Sequence, residues 1–297
     1  MALNITSVEN HREREKGLIV YPVYSRRSEG LSIGINLFPD TKKCPFDCPY
    51  CEVFPFSGAK FSLVQMQNDL ITAISSAKEQ NIPIKDLCFS GNGEPTLSPF
   101  FPKALKLTEK ICREMLKKNP HKQSLQDSPH DALKTTFTKI VVITNGAGLL
   151  KPNIFSLLKR TAHTKYAGSY LFDIWLKLDA GTPEWFLKMY RTALSFEKLC
   201  KKIKKFADEA PVTIQTMICA INGESPAEAD LIPWETLVCR LAEKGNVKKV
   251  QLYGKARPAP EDPLASALPA EYLENRAASL RKKFLNEKIK VPVEVYL

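Results

Sequence analysis

Three cysteines lie close together early in the chain, and their type and spacing point most clearly to chemistry. Cys44, Cys48 and Cys51 directly follow an apolar run rich in β-branched residues, which predicts a strand. A loop this short can place three thiolates around one small inorganic cluster. Because an ordinary electron-transfer iron-sulfur cluster or a structural zinc takes four protein ligands, a site with three leaves one metal position open for chemistry.

A fourth protein ligand is not evident in the sequence. Cys88, the nearest further cysteine, lies within a predicted strand, and none of the four histidines has zinc-finger spacing relative to the three cysteines. A structural zinc site remains an alternative, but the sequence offers no recognisable fourth ligand for it. The remaining cysteines stand singly, mostly among apolar neighbours, and we expect them to be buried as small hydrophobic side chains. They are Cys88, Cys112, Cys200, Cys219 and Cys239.

The composition favours a cytoplasmic protein with an anionic partner. Lys and Arg outnumber Asp and Glu by 43 to 32, a formal charge of +11 that lowers the cost of approach for a polyanion such as RNA. In the reducing cytoplasm, clustered cysteines indicate metal binding rather than disulfides. No apolar run approaches the ~18 residues needed to cross a bilayer, and the charged amino-terminal segment lacks the apolar stretch of a signal peptide. We therefore expect no membrane association.

The periodicity of the chain predicts alternating strands and helices. Six apolar runs predict core strands: Leu31–Phe38, Asp86–Ser90, Lys139–Thr144, Asp173–Leu178, Val212–Ala220 and Lys248–Tyr253. Helical patterns follow or separate them: Leu63–Gln80, Phe101–Lys118, Asn153–Thr161, Pro183–Glu209 and Pro233–Lys244. This alternation is typical of an α/β fold with a mainly parallel sheet. We expect one domain over residues 1–297, with a core of about residues 18–255 and a C-terminal extension of about 256–297.

Further segments flank this core. The spacing of Leu18–Tyr24 predicts a β-hairpin with the first core strand, and the polar residues Gln123–Lys134 predict a surface loop. The proline-rich stretch Ala256–Pro263 is followed by a predicted helix, Pro269–Lys288, and a predicted strand, Val291–Leu297.

The cysteine loop resembles that of the radical S-adenosylmethionine (SAM) superfamily. The superfamily pattern C-x-x-x-C-x-aromatic-C matches Cys44, Cys48, Tyr50 and Cys51. By this resemblance the cysteines hold a 4Fe-4S cluster, its open iron chelates the amino and carboxylate groups of SAM, and Tyr50 lies against the adenine. The resemblance also implies a partial (β/α)6 barrel of the TIM type, and an external electron donor of the flavodoxin or ferredoxin type.

A second segment strengthens this resemblance. Gly91, Asn92, Gly93, Glu94 and Pro95 close the second core strand and are similar to the Gly-Gly-Glu-Pro segment of the superfamily, with asparagine where many members have glycine. Glycines let the backbone approach a ligand closely, and a carboxylate or exposed carbonyl can accept hydrogen bonds from an ammonium group. We therefore expect this segment to bind the cofactor; the alternative is a plain strand-to-helix turn.

Polar residues at the ends of later strands are further candidates. Ligands of parallel α/β proteins gather at the carboxyl ends of the strands, where Asn145, Asp179 and Gln251 lie by the strand prediction. Each could instead cap a turn or helix. Lys177 alternates with Asp179 on one face of its strand, so it enters the same cavity or faces solvent.

One branch of the superfamily offers a closer likeness. The stretch from Tyr21 to Leu37 is similar to a branch that includes wyosine tRNA synthase-like iron-sulfur oxidoreductases. Those synthases carry a second cluster, held by cysteines ahead of the radical motif, and an active-site lysine that engages pyruvate. This chain has no cysteine before Cys44. We therefore expect neither a second cluster nor the same reaction.

Three functions remain open at this point. The first is a radical SAM enzyme acting on an RNA base or another anionic molecule, favoured by the branch resemblance and the positive charge. The second is a protein-modifying radical enzyme of the activase kind, with Ala256–Pro263 as its docking surface. The third is an iron-sulfur protein that binds or transfers electrons without turnover.

Overall fold

The computed structural model describes residues 17–54, 56, 58–117 and 138–297, which fall into two compact units. The first unit takes in the described residues up to 42, those from 56 to 142 and those from 164 to 173. The second takes in residues 43–55, 143–163 and 174–297. The predicted surface loop Gln123–Lys134 lies outside the described residues, and the single-domain expectation stays a prediction.

Parallel strands and helices alternate in the first unit, as predicted. Strands β1 (Val20–Ser25) and β2 (Gly30–Ile35) form the predicted antiparallel hairpin. β2 pairs in parallel with β3 (Ile84–Phe89), and β3 pairs in parallel with β4 (Lys139–Thr144). Helix α1 (Leu63–Glu79) follows β2, and helix α2 (Phe101–Lys117) follows β3. A small hairpin that the sequence did not predict pairs β5 (Lys165–Tyr166) with β6 (Ser169–Tyr170).

The second unit contains a parallel sheet and five helices among its described residues. Its strands pair in the order β7 (Phe172–Lys177), β8 (Val212–Met217), β9 (Val247–Tyr253) and β10 (Val293–Tyr296). Its helices are α3 (Pro152–Ala162), α4 (Pro183–Tyr190), α5 (Phe196–Glu209), α6 (Glu228–Ala242) and α7 (Ala270–Asn286). The six predicted core strands are all present, and the predicted last strand extends the sheet in parallel beside β9.

Burial explains why these segments fold as they do. Met66, Leu70, Ala73 and Ala77 of α1 recur every three or four residues and are all buried, so that they form one apolar face. The Ser62 hydroxyl accepts a hydrogen bond from the backbone of the first turn and fixes the start of α1. Strand β8 is buried at almost every position, as in parallel sheets covered on both faces.

Two predicted helices were wrong in their bounds. The segment Pro183–Glu209 is two helices, because Arg191 ends α4 with a φ of 41° and Ser195 caps the start of α5. The helix predicted to begin at Pro233 begins at Glu228, because the Asp230 carboxylate accepts the backbone N–H of residue 227 and caps an earlier turn. Proline is therefore inside this helix rather than at its start.

The isolated cysteines behave largely as expected. Four of them are buried, and Cys200 in α5 is half-buried. No helix of the described residues is both long enough and apolar enough to cross a membrane.

Candidate functional site

The three clustered cysteines lie in one irregular loop of the second unit. Cys44, Cys48 and Cys51 are free thiols with intermediate exposure. The backbone N–H of Cys51 donates to the carbonyl of Cys48 across 3.0 Å, which turns the end of the loop back on itself. None of the three is in a disulfide and all are partly accessible, so the loop can offer three thiolates to an inorganic cluster.

The loop is fastened to the end of helix α4. The Phe46 ring stacks on the Tyr190 ring with 4.5 Å between centroids, and the Asp47 N–H donates to the Tyr190 carbonyl at 2.9 Å. The Thr192 hydroxyl donates to the Pro45 carbonyl at 2.8 Å. The helix break after Tyr190, which periodicity missed, thus exposes the groups that hold the cysteine loop.

A buried network fixes Tyr50 within the loop. Its hydroxyl donates to Asp179 Oδ2 at 2.6 Å, and Lys177 Nζ lies 2.9 Å from the same oxygen. The Met217 N–H donates to Asp179 Oδ1 at 2.9 Å, while the Asp179 N–H donates to the Tyr190 hydroxyl at 2.7 Å. The carboxylate is thus surrounded by donors, so Asp179 acts as a positioning residue for Tyr50.

The turn that carries Asp179 is itself locked in place. The Leu178 carbonyl accepts hydrogen bonds from the Trp234 indole at 2.9 Å and from the Thr216 hydroxyl at 2.8 Å. A Cβ atom on Gly181 would lie 2.1 Å from the backbone nitrogen of Trp234. Only glycine permits this approach of helix α6, which sets the position of the turn.

Lys177 remains a cation inside this network. Burial by itself lowers the pKa of Lys177, but the Asp179 carboxylate and the Tyr253 hydroxyl, 2.8 Å away, outweigh it and hold the pKa above its usual value. The ammonium also lies 4.9 Å from the centre of the Tyr50 ring. Burial raises the pKa of the Cys48 thiol, and the charge of Lys177 opposes that rise. Lys177 therefore favours a thiolate, the form that binds metal.

Asn145 joins the cysteine loop to the end of strand β4. Its Nδ2 lies 3.4 Å from Cys44 Sγ, and its Oδ1 accepts the N–H of Ala147 at 3.0 Å. The turn it caps contains Gly146 at a φ of 81°. The residue therefore caps a turn and also contacts a cysteine.

Gln251 lies deep in the sheet of the second unit. Its side chain is fully buried, and its Oε1 accepts from Gln215 Nε2 at 2.7 Å. The register pairs Lys177 with Gln215 and Gln215 with Gln251, so the three residues form one row across β7, β8 and β9. Gln251 Nε2 has no hydrogen-bond partner among the described residues. The row places polar side chains in the sheet. Among the described residues, no hydrogen bond joins Gln251 to a cysteine.

An ion pair that the sequence did not reveal ties the loop to the segment after β9. Glu52 directly follows Cys51, and its carboxylate accepts from Arg257 Nε at 2.7 Å and from the Arg257 backbone N–H at 3.2 Å. Lys255 Nζ lies 3.9 Å from Glu52 Oε1, and burial lowers the pKa of this lysine. This contact spans some two hundred residues of sequence, so no local pattern indicates it.

The segment Gly91–Pro95 belongs to the first unit. Gly91 has a φ of 115°, and a Cβ there would meet the Asn36 side chain at 2.8 Å. Asn36 Oδ1 accepts the backbone N–H groups of Asn92 at 3.2 Å and of Phe38 at 3.0 Å. Asn36 thus shapes this turn, a role that the sequence did not indicate.

Glu94 is a buried carboxylate at the end of the same turn. Its Oε1 accepts both the backbone N–H and the hydroxyl of Thr96, and it caps the short 3-10 helix Pro95–Leu97. Gly93 beside it is half-buried. The segment thus forms the strand-to-helix turn that was the alternative above, with Glu94 as its cap, and a cofactor contact stays a prediction.

The donor set fits a 4Fe-4S cluster. Within the described residues, no three His, Cys, Asp or Glu side chains converge to hold a single metal ion. Each thiolate of a 4Fe-4S cluster binds a different iron, so its ligands need not converge on one point. Three free thiols on an anchored loop, close to the buried cation of Lys177, suit an anionic cluster with one open iron.

Comparisons with known proteins bear on the fold of the chain. No family model matches the chain. A UPF0026 protein of Helicobacter pylori is 39% identical over 93 residues, which are 29% of this chain and 29% of that protein. Among solved structures, SuiB of Streptococcus suis superposes with a TM-score of 0.61 at 12% identity, covering 92% of this chain and 51% of SuiB. A radical SAM methyltransferase from Sphaerobacter thermophilus superposes with a TM-score of 0.57 at 14% identity, covering 90% of this chain and 66% of the methyltransferase.

These likenesses confirm the predicted fold. The chain has the mixed α/β, partial-barrel fold of the radical SAM enzymes, as the resemblance of the cysteine loop implied. It spans only about half the length of SuiB and matches a short part of its curated relative.

Proposed function

We propose that the chain is a radical SAM enzyme in which Cys44, Cys48 and Cys51 hold a 4Fe-4S cluster. The observation that carries this proposal is the anchored loop of three free thiols, in which Tyr50 is fixed by Asp179 at the end of a parallel strand. SuiB, which shares the fold, has been solved with SAM bound. The cysteine motif, the fold and the anchored loop each support this proposal.

The residues of the chain have separate tasks under this proposal. When bound, the reduced cluster supplies the electron that cleaves SAM to methionine and a 5′-deoxyadenosyl radical, which removes hydrogen from a substrate. Tyr50 is held by Asp179 to support the adenine, and Asn145 orients Cys44. Glu94 and Gly91, with its positive φ, receive the amino-acid end of the cofactor. Holding both reactants in contact is the larger part of what the protein contributes.

The partners of the enzyme follow from this chemistry. Each cleavage requires one electron from outside, which we assign to a donor of the flavodoxin or ferredoxin type. The formal charge of +11 favours an anionic substrate, and an RNA base is the leading candidate. A peptide substrate is the second candidate, because SuiB has been solved with its precursor peptide.

The role of Glu94 can be separated from its capping function. Replacing Glu94 with alanine should weaken SAM binding to the reconstituted protein roughly tenfold to a hundredfold, because a charge-assisted hydrogen bond contributes about 1.5–3 kcal/mol. Equilibrium dialysis with labelled SAM measures the change, and the iron content should stay at the wild-type level.

Thr96→Val is the matched control for this variant. It removes the hydroxyl bonded to Glu94 but keeps the carboxylate, so SAM should bind about as tightly as to the wild type. Equal weakening in both variants would assign Glu94 to the turn alone and contradict its role at the cofactor.

A further inference from the structure

A basic cleft lies between helices α3 and α5 of the second unit. Its volume is about 540 Å³, within the roughly 300–1,000 Å³ typical of ligand pockets. Its wall includes four cationic side chains and one carboxylate: Lys159, Arg160, Lys202, Lys205 and Glu209, beside the ring of Phe155. The cleft therefore carries a net positive charge along its length.

Two lysines of the basic cleft, Lys202 and Lys205, have little acidic compensation among the described residues. Glu209 lies 2.7 Å from Lys159 and 3.9 Å from Lys205, so one carboxylate serves two cations. Lys202 has no acidic partner among the described residues. The ammonium groups of Lys202 and Lys205 instead lie 5.9 Å and 5.8 Å from the centre of the Phe155 ring. These lysines remain available to an anion.

Helix α3, which forms one wall of the basic cleft, begins close in sequence to a residue that contacts the cysteine loop. Pro152 lines the cleft and begins α3, directly after the short 3-10 helix Ala147–Leu150. That turn follows Asn145, whose amide contacts Cys44. Helix α3 has eleven residues, so this wall of the cleft is about 16 Å long.

We propose that the basic cleft binds the phosphodiester backbone of a single-stranded nucleic acid. Cations beside an aromatic ring in a narrow groove are the features that bind such backbones. A folded acidic protein fits less well. A stable protein interface buries about 800 Å² on each partner, and the basic cleft is a groove between two helices rather than a surface of that extent. The choice of ligand rests on the anionic substrate of the proposed function, whereas the binding itself does not require SAM cleavage.

Binding of a twelve-nucleotide oligouridylate to the reconstituted full chain tests this proposal. The Lys202→Gln/Lys205→Gln variant should bind it roughly tenfold or more weakly at about 50 mM salt. The slope of log affinity against log salt should fall by about 1.4 in magnitude, because two phosphate contacts to a single strand are lost. Fluorescence anisotropy over a salt series measures both quantities.

The matched control is Lys103→Gln/Lys106→Gln. These lysines have the same spacing on α2 and are exposed, so the variant loses the same charge outside the basic cleft. It should bind like the wild type. Equal weakening of the two variants, or no binding by the wild type, would overturn the proposal.

Two further measurements distinguish a nucleic acid from the other ligands that a basic cleft could bind. Uridine monophosphate that binds as tightly as the oligonucleotide would overturn the proposal in favour of a nucleotide pocket. A Lys202→Gln/Lys205→Gln variant that binds the oligonucleotide as tightly as the wild type, and yet accepts electrons from a ferredoxin-type donor more slowly, would also overturn the proposal. That result would assign the basic cleft to an acidic protein. A wild type that shows the expected binding but makes no 5′-deoxyadenosine would contradict the proposed function and still support this inference.

Discussion

Protein in which Cys44, Cys48 or Cys51 is replaced by alanine should hold no stable cluster after anaerobic reconstitution, whereas the wild type should hold about four irons and four sulfides per chain. The loop supplies three thiolates; beside them the Tyr50 hydroxyl is already bonded to Asp179, and Asn145 offers only a neutral amide. Iron and sulfide analysis of the desalted proteins measures the difference, and visible absorbance should report it independently.

Cys200→Ala is the control for these substitutions. It removes one thiol from the same unit, but Cys200 lies half-buried in helix α5, away from the cysteine loop. This variant should reconstitute like the wild type. Full iron content in any of the three loop variants, or a stable zinc protein that takes up no iron, would contradict the assignment.

Asp179→Asn should destabilise the iron-free protein by roughly 3–5 kcal/mol, because it leaves the cation of Lys177 buried without its counter-charge. The Asp179 side chain is fully buried and that of Lys177 is 16% exposed, so solvent screens the pair little. Asparagine preserves the shape of the residue and can still accept from Tyr50. The midpoint of urea unfolding measures the loss.

A second substitution separates charge from packing in this network. Lys177→Met/Asp179→Asn removes the cation as well and should recover more than half of the lost stability. As a comparison, Asp208→Asn breaks a partly exposed helical pair with Lys204 and should cost only about 0.5 kcal/mol. A double variant no more stable than Asp179→Asn would show that the ion pair is not the cause.

Local patterns in the sequence were sufficient for the elements and for the cysteine loop. Alternating apolar runs predicted the core strands, and the three cysteines with Tyr50 identified the loop. The predicted strand ends placed Asp179 and Asn145 close to that loop, where the structure has them. These features depend on residues that are neighbours in sequence or share a strand.

The features that the sequence did not indicate depend on tertiary contacts. Periodicity continues through Arg191, but the chain leaves the helix there to bind the cysteine loop. Glu52 and Arg257 pair although they are far apart in sequence, and Asn36, just after β2, shapes the turn at Gly91. None of these contacts has a local sequence signal. They join residues that are distant in sequence, so only the three-dimensional structure reveals them.

The most direct test of the account is the yield of 5′-deoxyadenosine from reconstituted, reduced protein incubated with SAM. The wild type should release methionine and 5′-deoxyadenosine slowly even without substrate, and Cys48→Ala should release none, with chromatography as the readout. Dithionite and a flavodoxin-type donor should both be tried, because the reaction requires one electron per cleavage. A wild type that carries a full cluster, binds SAM and yields no 5′-deoxyadenosine with either reductant would contradict radical chemistry and favour an iron-sulfur protein without turnover.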